Sequence, residues 1–513
     1  MHVYPKGCFF KSFNDIKDKK ITIMGLGLNG GGLAAVRFFS KHGALITVTD
    51  MKTAEQLKPT LDTIENDKSI DKSRITYILG EHRIEDFENA DVVIKNPGVK
   101  IEGNKYLEKA RVIESDMSIF LNFTKSPIIA ITGSKGKSST VSAIHYGLNN
   151  CGYKAFLGGN ITVSPLTFLE ETNEETPVVL ELSSWQLADL RGRGLLKPHI
   201  CLMTKIVADH QNWYGNMENY IEDKKLLYAD QDKGCYSIFD FDEDEPAIKP
   251  ANFESWGAVF ASETKGTVLR YSKTKLPKGT FGVWQERNKN GIFEGKVLLP
   301  YMEKAEVILK GLTVPGEHMK TNVLNAALVL YLMHIPAEKI IKVLGSWSGI
   351  EHRLQYFHTY KSSKTVYKFY NDTCSTVPEA TAAASQSFEK PVILICGGTD
   401  KGLVFDKLTE TLINSEKLYK KPDSLWLLQG TATEKLTPIL DENGIKYNGP
   451  YQNLLKLLEE LKEYTYTTSS VPSENKPKEF AIVFSPGATS FGMFTNEFDR
   501  GHKFMSAVKE MFN

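Results

Sequence analysis

A short apolar strand that runs into a glycine-bearing turn constrains the fold of this chain more than any other segment. Residues 126–131 read Ser-Pro-Ile-Ile-Ala-Ile, and residues 132–140 continue as Thr-Gly-Ser-Lys-Gly-Lys-Ser-Ser-Thr. Strand, tight turn and helix in that order build a loop whose backbone N–H groups converge on phosphate oxygens, because the helix N-terminus favours negative charge. The segment therefore predicts a nucleoside triphosphate site inside an α/β domain.

The individual residues of this loop suit distinct roles at a triphosphate. Gly133 and Gly136 let the backbone approach the phosphate oxygens closely. Lys137 adds a positive charge, and the hydroxyl group of Ser138 can ligate Mg²⁺. The loop differs from the ordinary Walker sequence, because Ile131 stands where that motif has its first glycine. The residues that we predict to contact ATP in this loop are Gly133, Ser134, Lys135, Gly136, Lys137, Ser138 and Ser139.

The length and charge of the chain narrow its class. Its 513 residues are enough for about three domains of roughly 150 residues each. The 62 Lys and Arg side chains equal the 62 Asp and Glu side chains, so no excess charge marks a surface for nucleic acid or an anionic membrane. We expect neither a signal peptide nor a membrane-spanning segment, because no apolar run has the required length. The six cysteines are scattered without a CxxC pair or metal-ligand spacing, which is typical of reduced thiols. We therefore expect a cytoplasmic enzyme acting on small molecules, with a monomer as the default state.

The amino-terminal region predicts a βαβ unit of the nucleotide-binding type. An apolar strand at 21–24 leads into a run of glycines, and a second strand at 44–49 ends at Asp50. In such units the glycines allow close approach to a phosphate group, and the acidic residue reaches a ribose hydroxyl. Read alone, the pattern suits a dinucleotide cofactor. A further strand at 91–94 ends in a loop, residues 96–98 (Asn-Pro-Gly), where a ligand could sit.

We predict a first domain at residues 1–119 and a second at residues 120–349, which carries the phosphate loop. Apolar strands of the second domain at 178–181 and 200–204 each end at polar residues. Repeated glycines and short β-type runs between 251 and 310 predict antiparallel strands added to this domain. Those runs are 267–271 and 295–299.

A third predicted domain, residues 350–513, repeats the alternation of strand and helix. Its apolar strands indicate another doubly wound sheet. They lie at 366–370, 392–396, 424–428 and 480–484. The polar segment 465–478 carries prolines and predicts a surface loop. The predicted fold class is α/β with three domains: a Rossmann-like domain, a P-loop ATPase-like domain with added β-strands, and a second Rossmann-like domain.

Eight further motifs lie downstream of the phosphate loop. They are residues 181–187, 208–210, 220–224, 316–322, 351–353, 371–373, 397–402 and 485–491. In this order the set resembles that of the Mur ligases, and the likeness covers nearly the whole chain. The resemblance implies a first domain that holds the UDP end of a substrate, a second that binds ATP and a third that holds an amino acid. It implies an ATP-dependent ligase of peptidoglycan synthesis that joins D-glutamate to UDP-N-acetylmuramoyl-L-alanine.

The residues suit the chemistry of such a ligation. A carboxylate resists attack by an amine until transfer of the γ-phosphoryl group converts it into an acyl phosphate. Both steps gather negative charge, which Mg²⁺, lysine and arginine can stabilise. By the resemblance, Ser138 binds one Mg²⁺, whereas Glu181 and His210 bind a second, and Lys224 is carbamylated by CO₂. The catalytic residues that we predict are Lys137, Glu181, His210 and Lys224.

The resemblance also assigns residues outside the phosphate loop to each ligand. Those implied at ATP are Asn322, Arg353 and Asp372. Those implied at the UDP-linked substrate are Gly25, Gly27, Asn29, Asp50 and Asn160. Those implied at the amino acid are Thr376, Lys401 and Ser490, which offer a cation and hydroxyl donors to its carboxylates.

Several residues depart from the family pattern, and they concern local contacts rather than the reaction. They are Thr162 for a glycine, Met319 for an asparagine, Cys374 for a lysine, and Glu497 within Asn496-Glu497-Phe498. The alternatives are a Mur-type ligase for a different amino acid, an NAD-dependent oxidoreductase and an ATP-regulated binding protein. An oxidoreductase leaves the phosphate loop unexplained, and a binding protein has no need of Lys137, Glu181 and His210 together.

Overall fold

The computed structural model describes residues 2–363, 365–415, 424–469 and 478–513. In these ranges the strands assemble into three sheets, flanked by helices and built chiefly from parallel strands. The chain divides into two compact units. The first comprises Met1–Lys310 and Thr321–Leu344, and the second comprises Gly311–Lys320 and Gly345–Asn513. Two of the sheets belong to the first unit and one to the second. The division into three domains after residues 119 and 349 stays a prediction.

Within residues 20–114, all of them described, five parallel strands form the first sheet. The strands are β1 (Lys20–Met24), β2 (Leu45–Asp50), β3 (Ile75–Leu79), β4 (Val92–Lys95) and β5 (Ile113–Glu114). The helices of this region are α1 (Gly31–Lys41), α2 (Lys58–Asn66), α3 (Ile84–Glu88) and α4 (Asp116–Phe123). The order β3-β2-β1-β4-β5 places a switch point between β1 and β4, where the carboxyl ends of the strands leave a crevice. The predicted strands β1, β2 and β4 are confirmed.

Between residues 128 and 310, also described throughout, nine strands form the second sheet. The strands are β6 (Ile128–Thr132), β7 (Phe156–Gly159), β8 (Val178–Glu181), β9 (Ile200–Met203), β10 (Tyr236–Asp240), β11 (Thr267–Ser272), β12 (Gly282–Arg287), β13 (Phe293–Leu298) and β14 (Glu306–Lys310). The helices that accompany or follow them are α5 (Lys137–Asn150), α6 (Ser184–Ala188), α7 (Gln211–Tyr214), α8 (Met217–Ala229), α9 (Trp256–Glu263), α10 (Glu317–Leu332) and α11 (Ala337–Gly345).

The sheet order, β14-β13-β12-β11-β10-β9-β6-β8-β7, sets the phosphate loop after a central strand, β6. Every residue of β6, β8 and β9 is buried, as expected for parallel strands that are covered on both faces. One predicted direction is wrong, since β11 (predicted at 267–271) pairs in parallel with both β10 and β12. The physical reason is that α9 crosses between β10 and β11, and such a crossover returns the chain in the same direction. The antiparallel pairs are β12 with β13 and β13 with β14.

In the described ranges from residue 355 onward, six strands form the third sheet. They are β15 (Gln355–Ser362), β16 (Thr365–Asn371), β17 (Val392–Cys396), β18 (Leu425–Leu428), β19 (Asn448–Tyr451) and β20 (Lys478–Phe484). The helices are α12 (Pro378–Gln386), α13 (Asp406–Asn414), α14 (Thr431–Glu442), α15 (Leu454–Ser469) and α16 (Glu497–Met511). The order is β15-β16-β20-β17-β18-β19, in which β15 is an antiparallel edge strand and the other pairs are parallel. The predicted doubly wound sheet is confirmed.

The surface loop predicted at 465–478 is wrong at both ends, because α15 continues to Ser469 and β20 begins at Lys478. Thr465 is fully buried, and Leu461 of the same helix lies in the core of this sheet, so packing extends the helix beyond its polar sequence. Residues 470–477 of that prediction lie outside the described residues.

Two general expectations can be compared with the structure directly. No helix in the described ranges combines the length and the apolar character that crossing a bilayer requires. All the cysteines lie in those ranges, and each is a free thiol.

Candidate active site

The phosphate loop joins β6 to α5 through left-handed backbone. Gly133 has a φ of 140° and Gly136 a φ of 93°, and only glycine adopts these values without strain. A Cβ atom on Gly133 would lie 2.0 Å from Thr204 Oγ1, and one on Gly136 would lie 2.5 Å from Asn322 Oδ1. The loop thus requires both glycines. It also lies directly against Asn322, which the resemblance assigns to ATP.

Lys137, the first residue of α5, folds its side chain back over this loop. Its Nζ donates to Gly133 O at 2.8 Å and to Ser134 O at 3.0 Å. Burial lowers the pKa of Lys137, whereas the nearby carboxylates of Glu181 and Asp209 raise it. The ammonium group therefore lies at the mouth of the loop, within electrostatic reach of the carboxylate at the end of β8.

The other loop residues divide between the surface and the interior. The hydroxyl group of Ser134 donates to Val207 O at 2.9 Å and lies 3.0 Å from Tyr220 Oη. This side chain is therefore buried and hydrogen-bonded within the protein. The backbone N–H groups of Ser134 and Lys135 both donate to Lys205 O. Lys135 Nζ is exposed and lies 3.8 Å from the Asp209 carboxylate. Ser138 and Ser139 are half-buried at the start of α5.

Glu181 ends the buried strand β8 and is itself only 2% exposed. Its Oε1 accepts a hydrogen bond from Asn160 Nδ2 at 2.9 Å. Its Oε2 is buried and has no hydrogen-bond partner among the described residues. A buried carboxylate oxygen without a partner is costly unless a cation neutralises it. Since Mg²⁺ prefers carboxylate oxygens, this atom fits a magnesium ligand.

His210 lies on the exposed turn before α7 and adopts a left-handed φ of 51°. Left-handed backbone at a residue other than glycine costs energy and is common at functional sites. The centroid of its ring lies 5.1 Å from that of Trp185, which follows Glu181 by four residues. This contact places the imidazole beside α6, the helix that follows β8. A shared magnesium site for Glu181 and His210 stays a prediction.

Lys224 is 1% exposed on α8, although its side chain is a lysine. Its Nζ donates to Gly133 O at 2.9 Å, the same carbonyl that Lys137 contacts, and lies 4.5 Å from the centroid of the Tyr220 ring. Burial is the main cause that holds the pKa of Lys224 well below its usual value, and the charge of Lys137 lowers it further. Burial therefore shifts this amine toward its neutral, nucleophilic form, which is the form that reacts with CO₂.

The residues assigned to the UDP-linked substrate meet at the carboxyl edge of the first sheet. Gly25 and Gly27 have φ values of 95° and 60°, and Asn29 is exposed beside them. Asp50 is buried, and its carboxylate accepts hydrogen bonds from Gly27 N at 3.0 Å and from Lys52 N at 2.9 Å. Asp50 therefore fixes the glycine turn, a use of this carboxylate that the sequence did not predict.

The loop after β7 brings Asn160 toward this turn. A Cβ atom on Gly30 would lie 3.8 Å from Thr162 O. Thr162 has a φ of 64°, a left-handed backbone value that a glycine adopts without strain. Asn160 is bonded to Glu181 through both its side chain and its backbone N–H group. The first and second sheets therefore approach each other at the residues assigned to the substrate.

In the second compact unit, Asp372 and Arg353 lie close together. Asp372 Oδ1 accepts from Leu354 N at 3.0 Å, and its Oδ2 accepts from the hydroxyl groups of Ser375 and Ser485, each at 2.6 Å. Burial raises the pKa of Asp372 to about 6, and the Arg353 guanidinium opposes that rise. Arg353 itself is exposed. Asp372 thus anchors the loop that presents Arg353.

The three residues assigned to the amino acid are distributed over neighbouring loops of this unit. Lys401 Nζ lies 3.4 Å from Thr376 Oγ1, so the structure brings these two together. Ser490 is buried and lines a cavity of about 300 Å³ with backbone of Gly398 and with Arg500. Lys401 and Thr376 do not line that cavity.

Arg500 is a residue that the sequence analysis missed. It is 1% exposed, and it donates to Ala488 O at 3.1 Å and to Thr373 O at 2.8 Å. Burial lowers the pKa of Arg500 to about 10. A charge on a late helix gives no signal in sequence spacing, because its partners are backbone carbonyls distant in the chain.

Glu351, His352 and His502 are the one set of three metal-type ligands that the described residues bring within 4.8 Å of one another. The amide Nδ2 of Asn371 donates to His352 Nδ1 at 2.8 Å, while its Oδ1 accepts from Thr373 N and Oγ1. The orientation of this amide is thereby fixed, so the proton of neutral His352 lies on Nε2. A protonated nitrogen cannot ligate a metal, and the set is a hydrogen-bonded cluster.

Comparison with known proteins identifies the family. The family model for the Mur ligase middle domain matches residues 131–330, and the model for the MurD-like N-terminal domain of Mur ligases matches residues 19–116. A UDP-N-acetylmuramoylalanine–D-glutamate ligase from Treponema pallidum is 38% identical, with 97% of this chain and 98% of the relative covered. A protein of the same name from Borreliella burgdorferi (strain ZS7) is 35% identical, with 97% and 99% covered.

Solved structures agree at the level of the fold. A crystal structure of MurF from Acinetobacter baumannii superposes with a TM-score of 0.52 at 15% identity, and the match covers 84% of this chain and 93% of that one. Such a likeness shows the α/β fold alone. The two relatives named above are 38% and 35% identical to this chain over nearly the full length of both proteins. The chain therefore belongs to the Mur ligase family.

Proposed function

We propose that this chain joins D-glutamate to UDP-N-acetylmuramoyl-L-alanine and hydrolyses ATP to ADP and phosphate, as a step of peptidoglycan precursor synthesis. The observation that carries the proposal is the phosphate loop itself, against which Lys137 and the buried Lys224 converge on Gly133 O beside the buried carboxylate of Glu181. Relatives with this enzyme name cover nearly the whole chain and support the identity of the two substrates.

The reaction has two steps in which the protein mainly positions groups and stabilises charge. The acceptor carboxylate attacks the γ-phosphorus of ATP, a P–O bond to ADP breaks, and an acyl phosphate forms. The amine of D-glutamate then attacks the acyl carbon, the C–N bond forms, the C–O bond to phosphate breaks, and the amine loses a proton. Lys137 offers a fixed positive charge to the oxygens of the transferred group. The side chain of Asn322 lies against Gly136 of the phosphate loop.

Ser138, Glu181 and His210 are the residues that would hold Mg²⁺. When bound, Mg²⁺ supplies neutralisation of the phosphate oxygens and of the acceptor carboxylate. Asn160 fixes the Glu181 carboxylate through Oε1 and leaves Oε2 available. We propose two ions, with Ser138 at one and the Glu181–His210 pair at the other.

We further propose that Lys224 is carbamylated. Its neutral amine attacks the carbon of CO₂, an N–C bond forms while one C=O π bond opens onto oxygen, and one proton leaves, so that a neutral amine becomes an anion. The carbamate would lie at Gly133 O, next to Lys137, whose charge it would balance. An anion in this place can orient a metal ion, which a neutral amine buried against a carbonyl cannot do.

The remaining assignments follow the two compact units. In the first unit, we propose that Gly25, Gly27, Asn29, Asp50 and Asn160 receive the UDP-linked substrate. In the second unit, Thr376, Lys401 and Ser490 offer hydroxyl groups and a cation to the two carboxylates of D-glutamate. Arg353 and Asp372 are proposed at ATP. A monomer remains our expectation.

A set of parallel incubations tests this proposal. The purified chain is mixed with ATP, Mg²⁺, UDP-N-acetylmuramoyl-L-alanine and, in separate reactions, D-glutamate, L-glutamate, L-alanine, a diamino acid or a dipeptide. Mass spectrometry should show the product of D-glutamate addition together with ADP. Addition of another amino acid would indicate a different Mur-type ligase. ATP binding without any product would favour a binding protein. In a parallel reaction supplied with NAD, reduction of NAD without formation of ADP would favour an oxidoreductase.

Replacing Glu181 with glutamine tests the proposed magnesium site. Glu181→Gln keeps the size of the side chain but removes the charge of the partnerless oxygen, so the Mg²⁺ concentration for half-maximal rate should rise about tenfold or more. Steady-state rates over a range of free Mg²⁺ measure this shift. Glu171→Gln, on the surface of the same unit, is the matched control and should leave the curve in place. An unchanged Mg²⁺ dependence in Glu181→Gln would exclude Glu181 as a ligand.

A further inference from the structure

Lys95 is a buried lysine at the end of β4, and its side chain is only 3% exposed. Its Nζ donates to Asn96 O at 3.0 Å and to Val99 O at 2.9 Å, and it lies 3.5 Å from Pro97 O. One ammonium group therefore gathers three carbonyl groups of the 96–99 loop. A loop of four residues that is held from its inside in this way has a fixed shape.

Besides these carbonyl groups, Lys95 contacts a carboxylate in the part of the chain that carries the second sheet. Its Nζ lies 3.0 Å from Asp189 Oδ2, directly after the end of α6. The other oxygen of this carboxylate, Oδ1, accepts from Tyr4 Oη at 2.9 Å. The carbonyl groups of Asn96, Pro97 and Val99 accept hydrogen bonds from the ammonium group, and Asp189 pairs with it through charge. Lys95 is therefore saturated by protein atoms and has no proton left for a ligand.

A second buried ion pair lies close to the contact between Lys95 and Asp189. Arg193 Nη1 lies 2.9 Å from Glu114 Oε2, both side chains are 2% exposed, and the guanidinium lies 4.1 Å from the centroid of the Tyr4 ring. The amino-terminal segment is tied to this region through the hydrogen bond from Gly7 N to Arg193 O. Buried ion pairs add little stability compared with apolar residues of similar size. Stability alone therefore does not explain why these two contacts consist of charged side chains.

The position of the 96–99 loop indicates what its shape serves. It follows the carboxyl end of β4 at the switch point of the first sheet, where ligands of doubly wound sheets bind. A Cβ atom on Gly25 would lie 3.4 Å from Asn96 Cβ, so the loop touches the glycine turn. Through Asp189 the loop is also fixed to α6, which begins three residues after Glu181.

We infer that Lys95 is a positioning residue that shapes the 96–99 loop to receive the sugar-nucleotide acceptor and sets it against the helix that follows Glu181. The inference rests on the proposed function. None of the residues that we propose at ATP or at the amino acid lies in this loop. Removing Lys95 should therefore impair use of the acceptor selectively.

Lys95→Met tests this inference, because it keeps the approximate length of the side chain but removes the ammonium group. The KM for UDP-N-acetylmuramoyl-L-alanine should rise about tenfold or more, because charge-assisted hydrogen bonds inside the loop are lost. The KM values for ATP and D-glutamate should stay the same. Lys105→Met, at an exposed lysine of the same region, is the matched control. An acceptor KM equal to that of the wild type in Lys95→Met would overturn the inference.

A second variant covers the case in which an unpaired Asp189 unfolds the protein. Lys95→Met/Asp189→Leu removes both charges and should fold, whereas the carbonyls of the loop remain unheld. Its affinity for UDP-N-acetylmuramoyl-L-alanine, measured by calorimetry, should stay about tenfold weaker than that of the wild type. A wild-type affinity in this folded variant would assign the pair to stability alone. A wild-type chain that binds the acceptor but forms no product would contradict the proposed function and leave this affinity comparison valid.

Discussion

Lys137→Ala is expected to lower turnover about 10²-fold or more, the scale of losing one fixed donor that stabilises developing charge. The ammonium group of Lys137 lies at the mouth of the phosphate loop, where Gly133 O and Ser134 O hold it. In the reaction it would face the oxygens of the transferred phosphoryl group. The loss should appear in the release of phosphate and in the formation of product alike, measured at saturating ATP.

The control for Lys137→Ala is Lys154→Ala, at an exposed lysine of the same unit that pairs with Glu171. This variant should turn over at the rate of the wild type. Thermal melting of both variants checks that the fold is kept. Turnover of Lys137→Ala within about twofold of the wild type would refute the assignment of the loop, since a charge-stabilising donor is worth far more.

Lys224→Ala is expected to lower turnover about 10-fold to 100-fold, as found when groups that orient metal ligands are removed. If the active form is a carbamate, acetate or formate at high concentration should restore part of the rate, because either anion fits the space that the side chain leaves. Steady-state rates with and without these carboxylates measure the rescue. Lys225→Ala, next along α8 and paired with Glu222 and Glu263, is the control and should need no rescue.

The same account predicts how pH and CO₂ act on Lys224. Carbamate formation needs the unprotonated amine, and burial increases its share by lowering the pKa of Lys224. As pH falls through this lowered pKa, the amine gains a proton and the carbamate should be lost. Buffers freed of CO₂ should therefore slow the enzyme, and added bicarbonate should restore it. Full activity without CO₂, together with no rescue of Lys224→Ala, would remove the carbamate from the mechanism and leave the ligase reaction in place.

Strands such as β8, an apolar run that ends at Glu181, could be predicted, whereas the parallel strands β3, β5, β7, β10 and β12 were not. The direction of β11 could not be predicted, since it depends on the path of α9 rather than on the sequence of the strand. The edge strands β15 and β19 were also missed. Polar residues interrupt both, and each is a strand because a neighbouring strand pairs with it.

The site shows the same division between local and distant causes. The phosphate loop is a local motif, and its strand, glycines and helix lie within a dozen residues, so its geometry follows from the sequence. The ion pair of Lys95 with Asp189 joins residues far apart in the chain, and no spacing marks it. The one local signal was a lysine at the end of an otherwise apolar strand, the pattern that had drawn attention to Glu181.

Asp50 shows that a predicted site residue can also have a structural role that its motif does not indicate. An acidic residue after the second strand of a βαβ unit suggests a ribose contact. In the structure both of its carboxylate oxygens accept backbone N–H groups, from Gly27 and from Lys52. The structure therefore gives this carboxylate a role in fixing the glycine turn, and its contact with the UDP-linked substrate stays a prediction. For this reason the motif gives little support to an NAD-dependent oxidoreductase.

The central claim is that ATP activates the acceptor carboxylate as an acyl phosphate, and the fate of oxygen tests it most directly. UDP-N-acetylmuramoyl-L-alanine labelled with ¹⁸O in its alanine carboxylate is converted with ATP, Mg²⁺ and D-glutamate, and the released phosphate is analysed by mass spectrometry. We predict that each phosphate carries one ¹⁸O atom from the acceptor. Product formation with unlabelled phosphate would contradict the account.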